Sequence, residues 1–98
     1  VYKKLLMREQ LIDQGNQLEE LLAEDFIYIR QDGQELDKGA YKAEKELTSA
    51  IKELHLTSIS QKTKLIRYQV GDTIHTSIWR RHETWQNIFH QETKIEKD

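Results

Sequence analysis

The sequence predicts an α+β domain with helices in its first half and an antiparallel β-sheet in its second half. Before residue 55 the apolar residues mostly recur at helical spacing, and after it they alternate with polar residues as in strands. The sequence contains no proline, so nothing interrupts the later strands. Helices followed by a run of strands favour α+β over an alternating βαβ arrangement.

Two helices are predicted at the start of the chain. An amphipathic helix is expected between residues 2 and 12, and Gly15 ends it. Asn16 followed three residues later by Glu19 is typical of a capping box and predicts a second, short helix. The apolar stripes of the two helices are Leu5, Leu6, Leu11 and Ile12, and Leu18, Leu21 and Leu22.

A short strand and a third helix are predicted next. Residues 26–29 are dense in β-formers and end near Asp32-Gly33, which is a strong turn signal. Asp37 is expected to cap a third helix that reaches Leu54. Its apolar stripe is Ala40, Ala43, Leu47, Ala50, Ile51 and Leu54.

Four further strands are expected after the third helix, at residues 56–60, 65–70, 73–82 and 85–93. A two-residue turn at Gly71-Asp72 pairs Tyr68 with His75 and Ile66 with Ser77. A turn centred on Glu83-Thr84 places Ser77 opposite His90 and Trp79 opposite Ile88.

These registers predict two mixed sheet faces, so the pattern leaves open which face is concave. One face carries Ile66, Tyr68, Val70, His75, Ser77, Trp79, Ile88 and His90. The other carries Leu65, Arg67, Ile74, Thr76, Ile78, Trp85, Asn87, Phe89 and Gln91.

The composition limits the class of protein. A chain of 98 residues has room for one domain, which we assign to residues 1–98. The formal net charge is −2, and the second helix is acidic, so we expect no nucleic-acid partner. No stretch approaches the ~20 apolar residues of a membrane span, so we expect no membrane contact. The lack of cysteine excludes disulfides and thiol chemistry and fits a cytoplasmic location.

Several segments together resemble an uncharacterised branch of the nuclear-transport-factor-2-like superfamily, which includes SnoaL-like and ketosteroid-isomerase-like proteins. They are Leu21-Leu22-Ala23-Glu24-Asp25-Phe26, Asp32-Gly33, Ser77-Ile78-Trp79-Arg80-Arg81, Trp85, and Phe89-His90-Gln91 through Thr93. The resemblance implies a cone in which a curved antiparallel sheet wraps helices around a cavity, commonly as a dimer. It implies no single reaction, because such folds include isomerases, dehydratases, cyclases and non-catalytic binding domains. Many relatives have a small residue where this chain has Glu92. Whether Glu92 points into the cavity or to solvent stays open.

The first sheet face carries the polar residues of a candidate ligand pocket. With the helix-borne Glu9, the predicted set is Glu9, Tyr68, His75, Ser77, Trp79 and His90. Histidine exchanges protons near neutral pH, hydroxyl groups orient a ligand oxygen, and Glu9 is placed to polarise an imidazole. The leading hypothesis is binding of a small, partly apolar molecule. Two alternatives stay open: a histidine-based acid/base enzyme and a dimeric association module. Buried histidines and strand tryptophans also serve purely structural roles.

Other chemistries have weaker support. Serine hydrolysis lacks a G-x-S-x-G motif and a strand aspartate behind His90. Two histidines and a glutamate are possible metal ligands, but no H-x-H or H-E-x-x-H motif occurs, so we predict no metal and no cofactor. An isomerase needs an aspartate base, whereas the aspartates fall at helix ends, turns or the tail. We expect a homodimer, which Trp79 and Trp85 would favour if they occupy outward-facing strand positions.

Overall fold

The structure, a computed structural model, describes residues 2–44 and 52–95. Within these residues the helices are α1 (Tyr2–Asp13), α2 (Leu18–Leu21) and α3 (Lys38–Glu44). The strands are β1 (Leu22–Ile29), β2 (Glu35–Asp37), β3 (Lys52–Ser58), β4 (Thr63–Val70), β5 (Thr73–Arg81) and β6 (Trp85–Lys94).

The strands form one curved, open sheet in the order β2-β1-β6-β5-β4-β3. Neighbouring strands are antiparallel except β1 and β6, which are parallel. This long-range parallel pairing brings the early strand β1 beside the last strand. The predicted α+β class, with an N-terminal helix packed in a curved and mainly antiparallel sheet, is confirmed.

Helix α1 packs with Leu5, Glu9 and Ile12 buried, each at most 1% exposed. Their spacing of four and three residues places them on one helical face. The sheet supplies the opposite half of the core, where β5 alternates buried and half-buried residues along its length. A glutamate therefore stands in the middle of an otherwise apolar helical stripe, and it faces the sheet.

The ends of the helices differ in how well the sequence predicted them. Gly15 has a φ of 74°, and Gly15 N–H donates to Ile12 O while Asn16 N–H donates to Leu11 O. This pair of bonds is a Schellman cap, so the predicted stop at Gly15 is correct. The predicted capping box after it is wrong. Helix α2 is preceded by Gln17 in the left-handed region, with no side-chain cap at that position.

Strand β1 begins earlier than predicted. It starts at Leu22 rather than at Phe26, so Leu22 belongs to a strand and not to the apolar stripe of a helix. Strand β2 was not predicted. It pairs with β1 through the turn at Asp32-Gly33, where Gly33 has a φ of 86°. Short apolar runs fit a helix and a strand equally well, which accounts for the error.

The third helix is capped as predicted, because Asp37 Oδ1 accepts a hydrogen bond from Ala40 N–H at 2.8 Å. Its predicted extension to Leu54 is wrong, since Leu54 lies in β3. The predicted helical positions Leu47, Ala50 and Ile51 lie outside the described residues. The strand predicted at 56–60 corresponds to β3, which starts at Lys52 and ends at Ser58. The predicted ends of the other three strands differ from those of β4, β5 and β6 by at most two residues.

The β5–β6 hairpin has a register change that the sequence analysis missed. Its loop has three residues, with Arg81 paired to Trp85. Ile78 pairs with Phe89 but Trp79 pairs with Asn87, so Ile88 is an extra residue at a bulge. The predicted pairing of Trp79 with Ile88 is wrong. Trp85 and Asn87 join Trp79 on the buried face, so neither tryptophan faces outward to favour a dimer. The loop is one residue longer than predicted, and the bulge adds one residue to β6. The two changes in register cancel beyond the bulge, so the predicted pairing of Ser77 with His90 is correct.

Candidate functional site

The carboxylate of Glu9 lies at the centre of a group of buried polar side chains. Tyr68 OH donates to Glu9 Oε2 at 3.3 Å, and Trp79 Nε1–H donates to Glu9 Oε1 at 3.1 Å. His90 Nδ1 lies 3.9 Å from Glu9 Oε2. Glu9 is 0% exposed, so the carboxylate has exchanged water for donors that belong to the sheet.

A chain of hydrogen bonds connects side chains of β5 and β6 on the face of the sheet that is turned towards Glu9. Ser77 Oγ lies 2.5 Å from His90 Nδ1, and His90 Nε2 lies 2.8 Å from His75 Nδ1. The register explains both contacts, because Ser77 is directly opposite His90 and His75 is directly opposite Glu92. Side chains two residues apart on a strand share a face, so the four groups form adjacent cross-strand pairs.

The short contact between the imidazoles of His75 and His90 restricts their protons. Only one hydrogen fits between the facing nitrogens, so one ring donates and the other accepts. If His90 Nε2 is the donor, His90 Nδ1 accepts from the Ser77 hydroxyl. If His75 Nδ1 is the donor, neutral His90 carries its proton on Nδ1 and donates to Ser77 Oγ. The chain therefore has two tautomeric arrangements that differ by the movement of protons along it.

Aromatic rings enclose the two histidines. The Tyr68 ring stacks on the His75 ring with centroids 4.9 Å apart and planes 8° apart. The Tyr28 ring stacks on the His90 ring at 5.4 Å and 20°. Tyr41 on α3 packs against Tyr28 at 4.7 Å. These contacts fix the orientation of both imidazoles and cover one face of each ring.

Asn87 is a member of this group that sequence reasoning did not find. With its amide oriented so that both ends are satisfied, Nδ2 donates to Phe89 O at 3.0 Å and Oδ1 accepts from Trp79 Nε1–H at 3.2 Å. Asn87 is 0% exposed and shares the indole donor with Glu9. It reaches this position through the bulge at Ile88, and no glycine or proline in the sequence marks that bulge.

All six predicted pocket residues come together in the structure, and each is at most 4% exposed. We call Glu9, Tyr68, His75, Ser77, Trp79 and His90 the buried polar cluster. The expectation that Glu9 approaches an imidazole agrees with the 3.9 Å separation, although its hydrogen bonds go to a phenol and an indole. That the cluster receives a ligand stays a prediction.

Glu92 extends the cluster towards its rim. Its Oε1 lies 3.8 Å from His75 Nδ1, and its side chain is 22% exposed. Gln31, in the loop between β1 and β2, donates through Nε2 to Glu92 Oε2 at 3.5 Å and to Thr73 Oγ1 at 3.2 Å. Glu92 thus faces the histidines while retaining contact with solvent, which answers the question that the sequence left open about its direction.

A second polar group lies on the surface between α2, β1 and α3. The buried Lys38 donates through Nζ to Glu19 O at 2.8 Å and pairs with Glu24 at 3.2 Å. Lys42 donates to Glu19 Oε2, and this bond, followed by the charge of Lys38, holds the pKa of Glu19 below its ordinary value of 4.5. An open depression of about 300 Å³ lies among these residues. Because its charges are already paired with each other, we interpret the group as a link between α3 and β1.

Among the described residues, no helix has both the length and the apolar character needed to cross a membrane.

Comparison with known proteins identifies the fold. No protein-family model matches the sequence, and no curated protein matches it significantly. Solved structures do match. An NTF2-like protein of unknown function from Prochlorococcus marinus superposes with a TM-score of 0.76 at 15% identity, over 99% of this chain and 94% of that one.

Two further solved structures are similar over nearly the whole chain. A protein from Exiguobacterium sibiricum, provisionally named a calcium/calmodulin-dependent kinase II association domain, gives a TM-score of 0.74 at 18% identity, over 99% of this chain and 92% of that one. A protein from Parabacteroides distasonis, provisionally named a ketosteroid isomerase, gives 0.73 at 13% identity, over 94% and 86%. The fold is therefore NTF2-like, as the sequence resemblance implied.

Proposed function

We propose that this chain, which has the NTF2-like fold, binds a small, partly apolar molecule at the buried polar cluster. The observation that carries the proposal is the carboxylate of Glu9, which is 0% exposed and receives donors from Tyr68 and Trp79. Removing a carboxylate from water costs several kcal/mol even after relaxation. An apolar side chain in the same helical stripe would fill the space without that cost.

The surroundings of the cluster suit a ligand with one polar end. Leu5, Ile12 and Ile66 are buried beside it, and the rings of Tyr28 and Tyr68 add aromatic surface. A few convergent polar groups in an apolar setting are the usual composition of a small-molecule site. A hydroxyl or carbonyl group on the ligand would exchange hydrogen bonds with Tyr68, Ser77 or His90, while its apolar part would contact the aliphatic side chains.

Native mass spectrometry of the protein purified directly from cells tests the binding proposal. We expect a reproducible additional mass of a small molecule, reduced in Tyr68→Phe and Ser77→Ala variants that keep the wild-type circular dichroism. Ser58→Ala, at an exposed serine on β3, is the matched control. Failure to retain any molecule, together with no thermal shift against a library of phenols and aromatic ketones, would contradict the proposal.

The second candidate function is histidine-based acid/base catalysis at the same cluster. It is favoured by the hydrogen-bond chain Ser77–His90–His75, which offers a path for a proton. Similarity to a protein named as a ketosteroid isomerase supports an enzyme only as an analogy of fold. Turnover that follows the protonation of a histidine and disappears in folded His90→Gln would favour catalysis. Unchanged turnover in that variant would exclude it.

Self-association and a cytoplasmic location are further parts of the proposal. The outer face of β5 and β6 carries the half-buried residues Ile74, Ile78 and Phe89, which a second copy would cover. Sedimentation analysis should give a dimer that Ile78→Lys dissociates and Thr57→Lys, at an exposed position on β3, does not. A monomer at every concentration would exclude the association module.

The cysteine-free sequence is compatible with the reducing cytoplasm, and cell fractionation tests this location.

A further inference from the structure

Three side chains at the rim of the buried polar cluster have the composition of a metal site. One ligand atom each from His75, His90 and Glu92 lies within 4.8 Å of the other two. His75 Nδ1 is 2.8 Å from His90 Nε2 and 3.8 Å from Glu92 Oε1. Two imidazoles and one carboxylate form the protein ligand set of several catalytic zinc sites and of the facial triad that binds Fe(II).

The distances are close to those that a bound ion requires. Zn²⁺ holds nitrogen and oxygen ligands at about 2.0–2.2 Å, which places two tetrahedral ligands about 3.3–3.5 Å apart. The two imidazoles must separate by about 0.5 Å, and the Glu92 oxygen must approach His75 by a similar amount. Glu92 can make this movement because its side chain is 22% exposed at the rim of the cluster.

The groups behind His90 and Glu92 are arranged as supports for metal ligands. Ligating histidines usually bond through their second ring nitrogen to a polar group that fixes the ring. His90 Nδ1 meets Ser77 Oγ at 2.5 Å. Gln31 Nε2 donates to Glu92 Oε2 and leaves Oε1 directed at His75. His90 Nε2 and Glu92 Oε1 are left facing His75 Nδ1, at 2.8 Å and 3.8 Å.

We propose that His75, His90 and Glu92 bind a divalent transition metal ion of the Zn²⁺ class. The ion replaces the hydrogen between the two imidazoles. No net loss of protons is needed, because each neutral ring can carry its proton on the nitrogen that faces away from the ion. For His90 that nitrogen is Nδ1, which then donates to Ser77 Oγ. Water or an added small ligand completes the coordination on the rim side.

The expectation from sequence that no metal binds was based on the absence of the short motifs H-x-H and H-E-x-x-H. The structure assembles the ligands differently, because His75 lies directly opposite Glu92 on the neighbouring strand and His90 is two residues before Glu92. The proposal does not depend on the proposed small-molecule function: His75 and His90 belong to both sites, whereas Glu92 belongs to the metal site alone. Loss of one activity can therefore be measured separately from loss of the other.

The test is titration of the chelator-treated full chain with Co²⁺ and with Zn²⁺, following the visible absorption of Co²⁺ and the heat of Zn²⁺ binding. We expect saturation at one ion per chain, with a visible spectrum that is typical of Co²⁺ at a low coordination number. Glu92→Gln should weaken binding by at least about tenfold, the lower bound set by losses at outer groups of metal sites. Glu35→Gln and His55→Gln, at exposed positions on β2 and β3, should bind as the wild type does.

Two results would overturn the inference. One is the absence of saturable Co²⁺ binding by the wild type. The other is equal affinity of the wild type and Glu92→Gln, which would place any bound ion elsewhere. Glu92 is partly exposed, so its variant is expected to fold, and circular dichroism confirms this before titration. If the small-molecule adduct persists in Glu92→Gln while Co²⁺ binding is lost, the small molecule binds without the metal ion.

Discussion

The indole N–H of Trp79 on β5 donates to the carboxylate of Glu9 on α1 at 3.1 Å and joins residues 70 positions apart. Both side chains are fully buried. The bond therefore fixes the first helix to the central strands at the point where the buried polar cluster begins. It also means that the cluster contributes to the fold as well as to any function, and the two contributions must be measured separately.

Replacing Trp79 by phenylalanine should destabilise the protein more than the same replacement at Trp85. Both tryptophans are buried, so both variants lose similar volume. Only Trp79→Phe removes the donor to Glu9, and the loss of a bond to a buried carboxylate costs about 1–3 kcal/mol. Urea unfolding of the two variants measures the difference. Equal losses of unfolding free energy would mean that the indole N–H contributes nothing to stability.

The ion pair between Asp25 and Arg80 should make stability depend on pH below about pH 4. Arg80 donates to both carboxylate oxygens, and this hydrogen bonding lowers the pKa of Asp25 below its ordinary value of 3.8. A lowered folded-state pKa stabilises the protein above the unfolded-state value, and the contribution is lost as pH falls through the folded-state value. Both side chains are largely exposed, so the effect stays below about 1 kcal/mol.

Urea unfolding at a series of pH values from neutral to strongly acidic measures this contribution. Asp25→Asn should reduce the loss of stability below about pH 4, because its amide does not titrate there. Arg80→Gln should remove the same part of the pH dependence, and the double variant should show no further change. A pH profile for Asp25→Asn that is parallel to the wild type would contradict the role of this pair.

The cap of α3 gives a prediction about local stability. Asp37 Oδ1 accepts the Ala40 N–H at 2.8 Å, and removal of such a cap costs about 1 kcal/mol. We expect Asp37→Ala to lose this amount and Asp37→Asn to retain most of it, since asparagine caps equally well. Thermal unfolding followed by circular dichroism compares them. If the asparagine variant were as unstable as the alanine variant, the carboxylate charge rather than the hydrogen bond would be the stabilising feature.

The sequence was most informative where a single turn determined the register. The two-residue turn at Gly71-Asp72 correctly predicted that Tyr68 pairs with His75 and Ile66 with Ser77. Gly71 has a φ of 60°, a conformation that glycine adopts without strain, so the residue type itself marked the turn. Four of the six residues of the buried polar cluster lie on this one hairpin.

The sequence was least informative where several weak preferences compete. The extra residue at Ile88 moves Asn87 to the buried face, although its own residue type carries no bulge signal. The apolar spacing before Leu54 fitted a helix, whereas pairing with β4 places that residue in β3. Long-range pairing decided these positions, and a local pattern contains no information about it. The position of Glu9 on its helix was enough to predict it as a pocket residue. That position did not predict its bonds to Tyr68 and Trp79.

The facing imidazoles of His75 and His90 should hold complementary tautomers in solution. Their nitrogens are 2.8 Å apart and leave room for a single hydrogen, so one ring is protonated at the facing nitrogen and the other is not. The contact between Ser77 Oγ and His90 Nδ1 takes the direction that matches the tautomer of His90. Two-bond ¹H–¹⁵N NMR spectra of the imidazoles report the tautomer of each ring.

His75→Gln is the variant that tests this contact, because glutamine keeps a polar group beside His90 without a second imidazole. In that variant the ¹⁵N signals of His90 should change, because His90 Nε2 loses its imidazole partner. The Ser77 contact at His90 Nδ1 is not removed by this change. Facing nitrogens that are both protonated or both unprotonated in the wild type, or His90 signals that are unchanged in His75→Gln, would show that the chain from Ser77 to His75 does not form in solution.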